Sequence, residues 1–151
     1  MTYCYDYPRP TVTVDSLVFR ITVNASEILL IKRGNEPFKG MWAIPGGFID
    51  MDEQLLESAE RELQEETGVT GVKLFQYGAY GDVGRDPRHR TISIAFAGIL
   101  EDPDILAVAN DDAADCRWFP INEIPDNMAF DHNLLVSDAI IFARKKRWIT
   151  D

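Results

Sequence analysis

The chain has 151 residues, 46% of them hydrophobic, which suits one globular domain with a sizeable core. Its formal net charge of −10 excludes the basic surface that a duplex nucleic-acid binder needs, so phosphate chemistry on this chain has to bring in a cation. The two cysteines, Cys4 and Cys116, read as reduced bystanders, and together with His89 and His132 they have no zinc-ligand spacing.

Residues 1–10 lack a basic stretch followed by an apolar run, so no signal peptide is expected. Residues 11–22 alternate β-branched and polar side chains, residues 27–33 form a compact apolar run, and both predict strands. Between them Asn24-Ala25-Ser26 matches a glycosylation sequon, but without secretion it reads as a turn. Residues 34–40, with Pro37, predict a loop, and residues 42–44 a short strand stopped by Pro45-Gly46-Gly47. Residues 53–67 predict the first helix, with Asp52 or Glu53 near its N-cap and Gly68 as its stop. Residues 69–80 and 91–100 predict strands flanking a polar loop at 81–90. The longest apolar run, 92–100, is too short to span a bilayer. A further strand around 117–119 ends at Pro120, and the last helix runs from near Asp131 to about Trp148. The basic run Arg144-Lys145-Lys146-Arg147 reads as a complement to the negative end of that helix. The whole, residues 1–151, is expected to be a single cytoplasmic α/β domain with a central mixed sheet covered by helices, and without membrane or nucleic-acid partners.

The helix at 53–67 carries the chemistry. With each residue turned 100° and Leu55 set at zero, Leu55, Ala59, Leu63 and Leu56 fall between 0° and about 100°, the expected buried face. Glu57, Glu60 and Gln64 fall at roughly 140–200° and read as solvated charges. Glu66 falls at about 20°, among the apolar residues, Glu62 at about −20° and Glu65 at about −80°. Carboxylates turned toward a core are costly unless paired or metal-bound, and these three also repel one another. Glu65 and Glu66 further sit in the last turn before Gly68, where the helix dipole disfavours negative charge. The three penalties together point to a shared ligand, and hard carboxylate oxygens suit Mg²⁺.

These residues also resemble the signature of the Nudix hydrolase family. That signature is Gly, five residues, Glu, seven residues, Arg-Glu, an aliphatic, any residue, Glu-Glu, any residue, Gly and an aliphatic. Gly47, Glu53, Arg61-Glu62-Leu63, Glu65-Glu66 and Gly68-Val69 match every position at the required spacing. The resemblance implies an α/β/α sandwich around a mixed sheet, with Mg²⁺ (or Mn²⁺ as substitute) held by Glu62, Glu65, Glu66 and the backbone carbonyl of Gly46. It implies that Arg61 orients the catalytic carboxylates and that Glu53 supports Arg61. Arg33 matches a basic position that meets substrate phosphate in the family, although a surface strand residue is an equal reading. The general base is a signature Glu, with Glu65 and Glu66 as candidates, or an acid of a distant loop, here Asp111, Asp112 or Asp115.

Three further stretches resemble the ADP-ribose pyrophosphatase-like branch: Arg85-Asp86-Pro87-Arg88, Trp118-Phe119-Pro120 and Ala129-Phe130-Asp131-His132. His89-Arg90 departs from the Gly-His common there, and Arg90 is closer to related transcriptional regulators that sense a ligand. Arg88, Arg90 and Phe48 join Arg33 as candidate substrate-binding residues. Phe48 and Tyr80 could stack on a base, against a packing role. Asp131 is expected as a helix N-cap and His132 as a local hydrogen-bonding residue. The resemblance implies hydrolysis of a nucleoside diphosphate derivative, with ADP-ribose to AMP and ribose 5-phosphate expected first. Nucleoside triphosphate pyrophosphohydrolysis is the alternative, and a non-enzymatic sensor the weaker one, because the signature is intact and the chain leaves no room for a winged helix. A homodimer is common among the resembling enzymes.

Overall fold

In the computed structural model, which describes residues 2–150, strand β1 (Thr11–Ile21) is buried on both faces through most of its length and organises the rest. It runs parallel to β6 (Thr91–Ile99), in register from Thr11 opposite Thr91 to Phe19 opposite Ile99. It is antiparallel to β2 (Ser26–Arg33) at its end and to β4 (Gly46–Phe48) near its start. β2 also pairs with β3 (Trp42–Ala43) and β7 (Ala113–Pro120), and β6 with β5 (Phe75–Tyr80), all antiparallel. One parallel ladder among antiparallel ones makes the sheet mixed, as expected.

The two-residue period of the strands sends alternate side chains to two layers. Val14, Val18, Leu29 and Phe96 pack with Ala59 and Leu63 of helix α1 (Leu55–Thr67). Leu17, Phe19, Ile28, Leu30, Ala95 and Ala97 pack with Leu135, Val136, Ala139 and Ala143 of helix α2 (His132–Lys145). Each large apolar side chain buried this way contributes about 1.5–3 kcal/mol, and the result is the expected α/β/α sandwich. Among the described residues no helix is long and apolar enough to cross a membrane.

Several boundaries differ from the sequence reading, each for a local reason. The short strand β3 ends ahead of Pro45 as expected, but Gly46 and Gly47 are not merely a stop. Gly46 instead begins β4, where its missing side chain lets it lie against the Val14 carbonyl of β1. The strand expected over 69–80 is confined to Phe75–Tyr80, because Gly71 takes φ 75° and breaks the extended run. The seventh strand begins earlier than expected, at Ala113, through its ladder with β2. Helix α1 starts later, with Gln54 as N-cap donating its N–H to the Glu57 carboxylate at 3.0 Å. Glu53 is thereby left outside the helix, its carboxylate turned to Arg61 and Ser58. At the other end Gly68 stops α1 at φ 74°, its N–H donating to the Gln64 carbonyl at 2.8 Å, as anticipated. The buried face of α1 is rotated from expectation: Leu56 is 42% exposed, while Ser58 is fully buried. Asp131 is the N-cap position of α2 but makes no side-chain cap, and Arg144 and Lys145 occupy the last turn.

Candidate active site

A cavity of about 400 Å³ opens where β1, the β3–β4 turn and the C-terminal half of α1 meet the loops 34–36 and 85–88 and the start of α2. Glu62 and Glu66 reach it because the rotated face of α1 turns them inward, Glu66 near the middle of that face. Glu66 is only 6% exposed, and its Oε1 accepts the Gly46 N–H at 2.7 Å. Burial pushes its carboxyl up to about 8 against the help of that N–H, and the nearby charges of Glu62 and Asp15 push the same way. Burial also raises Glu62, against the pull of Arg61. The Glu62 carboxylate fills the place of a missing side chain, since a β-carbon on Gly47 would stand 2.5 Å from its carboxyl carbon.

Arg61 is the hub that orders the acids. Its Nε and Nη2 donate to the two oxygens of Glu53 at 2.7 and 3.0 Å, a fork-to-fork pair. Its Nη1 donates to Glu62 at 2.8 Å and to Glu65 at 3.3 Å, and Nη2 also reaches the Phe48 carbonyl at 3.2 Å. Glu53 accepts a short hydrogen bond from the Ser58 hydroxyl as well. Hydrogen bonds from Arg61 and then Ser58 hold the Glu53 carboxyl down at about 2, and Arg61 is raised in turn by Glu53. The burial of Ser58, unexpected from the sequence, thus anchors the residue that anchors Arg61.

Glu65 takes part through Arg61 but does not line the cavity. Among the described residues no group of three His, Cys, Asp or Glu side chains is gathered tightly enough to hold an ion as it stands. Glu62 and Glu65 are turned to Arg61, and Glu66 to Gly46. The donor chemistry nevertheless fits a hard divalent cation. Glu62, Glu66 and Asp15 bring carboxylates to one small cavity, and burial raises the carboxyls of Glu62 and Glu66, a cost that a bound cation would offset.

Of the candidate substrate-binding residues, Arg33, Arg88 and Phe48 line the cavity. Arg90 does not. Its carbonyl accepts the Thr11 N–H at 2.9 Å where the loop turns into β6, and its exposed side chain lies outside. Of the loop acids, Asp112 lines the cavity and accepts the Asn35 amide at 3.3 Å, whereas Asp111 does not line it and Asp115 pairs with Arg117 on β7 at 2.8 Å. The Tyr80 hydroxyl donates to Asp138 at 2.8 Å and its ring packs against the α2-side core, so packing is its role.

Two cavity residues escaped the sequence reading. Asp15 is buried on β1 opposite Gly46, and its Oδ2 accepts a short hydrogen bond from Ser93. An Asp in the middle of a strand, just ahead of Leu17-Val18-Phe19, was the available signal. His132 is not bonded locally: Nδ1 accepts the Ile44 N–H at 3.0 Å, and Nε2 stands 3.6 Å from Asp15 Oδ1. Burial lowers its pKa more than Asp15 raises it, which keeps the ring neutral at Nδ1 as that bond requires. The Asp131 carboxylate, which the sequence assigned to capping, receives Arg85 at 2.6 and 2.9 Å instead.

The NUDIX domain family matches residues 11–139. The ADP-ribose pyrophosphatase of Methanocaldococcus jannaschii is 40% identical over 132 residues, which are 87% of this chain and 74% of that protein. The ADPR responsive transcriptional repressor NtrR of Acinetobacter baylyi is 34% identical over 142 residues, 92% of this chain. This chain spans only 56% of the repressor's length. Among solved structures, the NUDIX domain of Shewanella oneidensis NrtR complexed with ADP ribose superposes with a TM-score of 0.81 at 29% identity, over 91% of this chain and 93% of that one. A MutT/nudix family protein from Enterococcus faecalis gives a TM-score of 0.84 at 25% identity, over 95% of this chain and 66% of that one.

Proposed function

The chain belongs to the NUDIX family and is a pyrophosphohydrolase, and from that premise we propose that it hydrolyses the diphosphate of ADP-ribose, in a Mg²⁺-dependent reaction, to AMP and ribose 5-phosphate. One observation carries the reading: the same cavity holds the carboxylates of the half-buried Glu62 and the buried Glu66 and the guanidiniums of Arg33 and Arg88. Carboxylates alone would repel a diphosphate and guanidiniums alone would not activate water, so the combination suits a diphosphate presented with a divalent cation. The choice of ADP-ribose draws on the likeness to the Methanocaldococcus pyrophosphatase and to the Shewanella domain complexed with ADP ribose.

Glu62, Glu65 and Glu66, with the backbone of Gly46, would hold Mg²⁺, or Mn²⁺ in its place. When bound, the ion offsets diphosphate charge and makes a water more acidic. The protein's own residues do the rest. Arg61, locked onto Glu53, fixes Glu62 at the cavity wall and Glu65 beside it. Arg33 and Arg88 bind phosphate oxygens, and Phe48 flanks them at the cavity edge. Water attacks one phosphorus, its proton passes to a carboxylate, and the bond to the bridging oxygen breaks, giving two monophosphates. Glu66, buried in the cavity, and Asp112 of its wall are the candidate acceptors for that proton.

The test is to incubate the protein with Mg²⁺ and a panel of ADP-ribose, dinucleotides, sugar nucleotides and nucleoside triphosphates, and to identify the products. AMP with ribose 5-phosphate, formed fastest from ADP-ribose, is the expected result. Preferred release of pyrophosphate from a nucleoside triphosphate would overturn the substrate assignment.

A further inference from the structure

The stretch 129–132 runs along the cavity wall into α2, and three of its residues are pinned. The Ala129 N–H donates to the Trp42 carbonyl at 2.7 Å, Asp131 is held by Arg85, and the His132 ring accepts the Ile44 N–H at 3.0 Å. Phe130, between them, takes φ 52°. A bulky aromatic residue in that left-handed region is a true outlier, at a cost of about 1–3 kcal/mol. Phe38 faces it from the loop after β2 at φ 61°, and the two rings meet edge-on with centroids 4.7 Å apart. Phe130 and Phe38 pack at the edge of a small cluster of Ile31, Ala43 and Ala129, yet Phe130 stays partly exposed and lines the cavity.

The exposed face of the ring has a second set of contacts. The guanidinium carbon of Arg33 lies 5.0 Å from the Phe130 centroid and that of Arg88 lies 5.4 Å from it, while Arg88 also stands 5.1 Å from the Phe48 centroid. Each guanidinium is tethered by only part of its donors. Arg33 Nε donates to the Pro37 carbonyl at 2.7 Å, and Arg88 Nε and Nη2 donate to Asp86 at 3.1 and 2.8 Å. Among the described residues Arg33 makes no ion pair, and neither its Nη groups nor Arg88 Nη1 have a protein acceptor. An aromatic face attracts a cation yet accepts none of its N–H groups in the plane, so it can gather two guanidiniums and leave donors free. Two like charges held together in this way are balanced best by an anion that bonds both.

We propose that Phe130 is a positioning residue that gathers Arg33 and Arg88 into one two-pronged clamp for a phosphate group of the substrate. This rests on the reading above that the cavity takes a diphosphate. The backbone strain at Phe130 has a use in this arrangement, since it projects the ring to where both arginines reach it.

The test compares wild type with Phe130→Leu and Phe130→Tyr. Binding of inorganic pyrophosphate to the metal-free protein is followed by calorimetry, and KM and kcat for ADP-ribose are followed with Mg²⁺. Loss of the ring contact to both guanidiniums predicts, for Phe130→Leu, about a tenfold weaker pyrophosphate affinity and a similar rise in KM, with kcat changed less than about threefold. Phe130→Tyr keeps the aromatic face and restores both. On an Arg33→Gln/Arg88→Gln background Phe130→Leu should add nothing further, which a merely structural role would not produce. If Phe130→Leu fails to melt cooperatively, Phe130→Met carries the same expectations. The clamp is overturned if wild type binds no pyrophosphate, if a folded Leu or Met variant keeps affinity and KM within about twofold, or if Tyr is as impaired as Leu. Failure of wild type to turn over ADP-ribose would count against the substrate reading alone, because pyrophosphate binding still decides the clamp.

Discussion

The Glu62 carboxylate occupies the space that a side chain on Gly47 would fill, with its carboxyl carbon 2.5 Å from where a β-carbon would stand. The first glycine of the signature and its first paired acid, far apart in sequence, are therefore a lock and its keeper. Gly47 is needed for closeness rather than for an unusual backbone angle.

Gly47→Ala should therefore displace Glu62 while leaving the fold intact. Turnover is expected to fall at least about tenfold, with weaker Mn²⁺ binding and little change in melting temperature, because only a flexible carboxylate has to move. Kinetics and metal titration on the same preparation check this. Wild-type turnover in the Ala variant would mean that Glu62 has no part in the chemistry.

The Arg61–Glu53 fork gives a second prediction. Arg61→Lys retains the charge but cannot bond both Glu53 oxygens and still reach Glu62 and Glu65. It should cost about tenfold or more in kcat, and Glu53→Gln should cost a comparable amount through the same network. Because the two residues act as a unit, the double variant should lose much less than the product of the single losses.

Glu66→Gln should lower turnover by about a hundredfold or more, since it removes a carboxylate of the cavity, a candidate for metal binding and for proton transfer, while keeping the Gly46 N–H bonded. The same variant tests the buried carboxyl. With its folded value raised to about 8 from 4.5, Glu66 holds a proton in the native state that the unfolded chain has lost. Its stabilising share is complete below about pH 4.5 and disappears as the pH rises through about 8. Thermal melts of the metal-free protein across that window should fall more steeply with pH for wild type than for Glu66→Gln. Parallel curves would show that Glu66 is not the buried acid described above.

Removing divalent ions with a chelator should abolish turnover, and Mg²⁺ or Mn²⁺ should restore it. Metal addition should also raise the melting temperature, more at pH 8 than at pH 5, because protons and metal compete for Glu62 and Glu66. A chelated protein that still hydrolyses its substrate would remove the basis for the carboxylate assignment.

What could be read from the sequence alone was what short-range periodicity controls. The 100° step of a helix put Glu66 among apolar neighbours before any tertiary contact was known, and Gly68 marked where the helix had to stop. The mixture of strands and helices along the chain likewise implied a central mixed sheet covered by helices, and the family resemblance an α/β/α sandwich. The tertiary structure decided the remainder, because it depends on which distant residues the register brings together. Leu56 yielded its place in the core to Ser58, which bonds Glu53, while the neighbouring Ala59 carbonyl accepts the Ser16 hydroxyl of β1. His132 became a partner of Ile44, 88 residues away, rather than of its own turn. Asp15 entered the site through its ladder with Gly46, and Arg90 stayed outside while Arg88 turned in beside Phe130. Local spacing identified the acids of α1, but Arg33 and Phe48 come from the ends of β2 and β4 and Arg88 and Phe130 from loops, and only long-range packing brings them to face those acids.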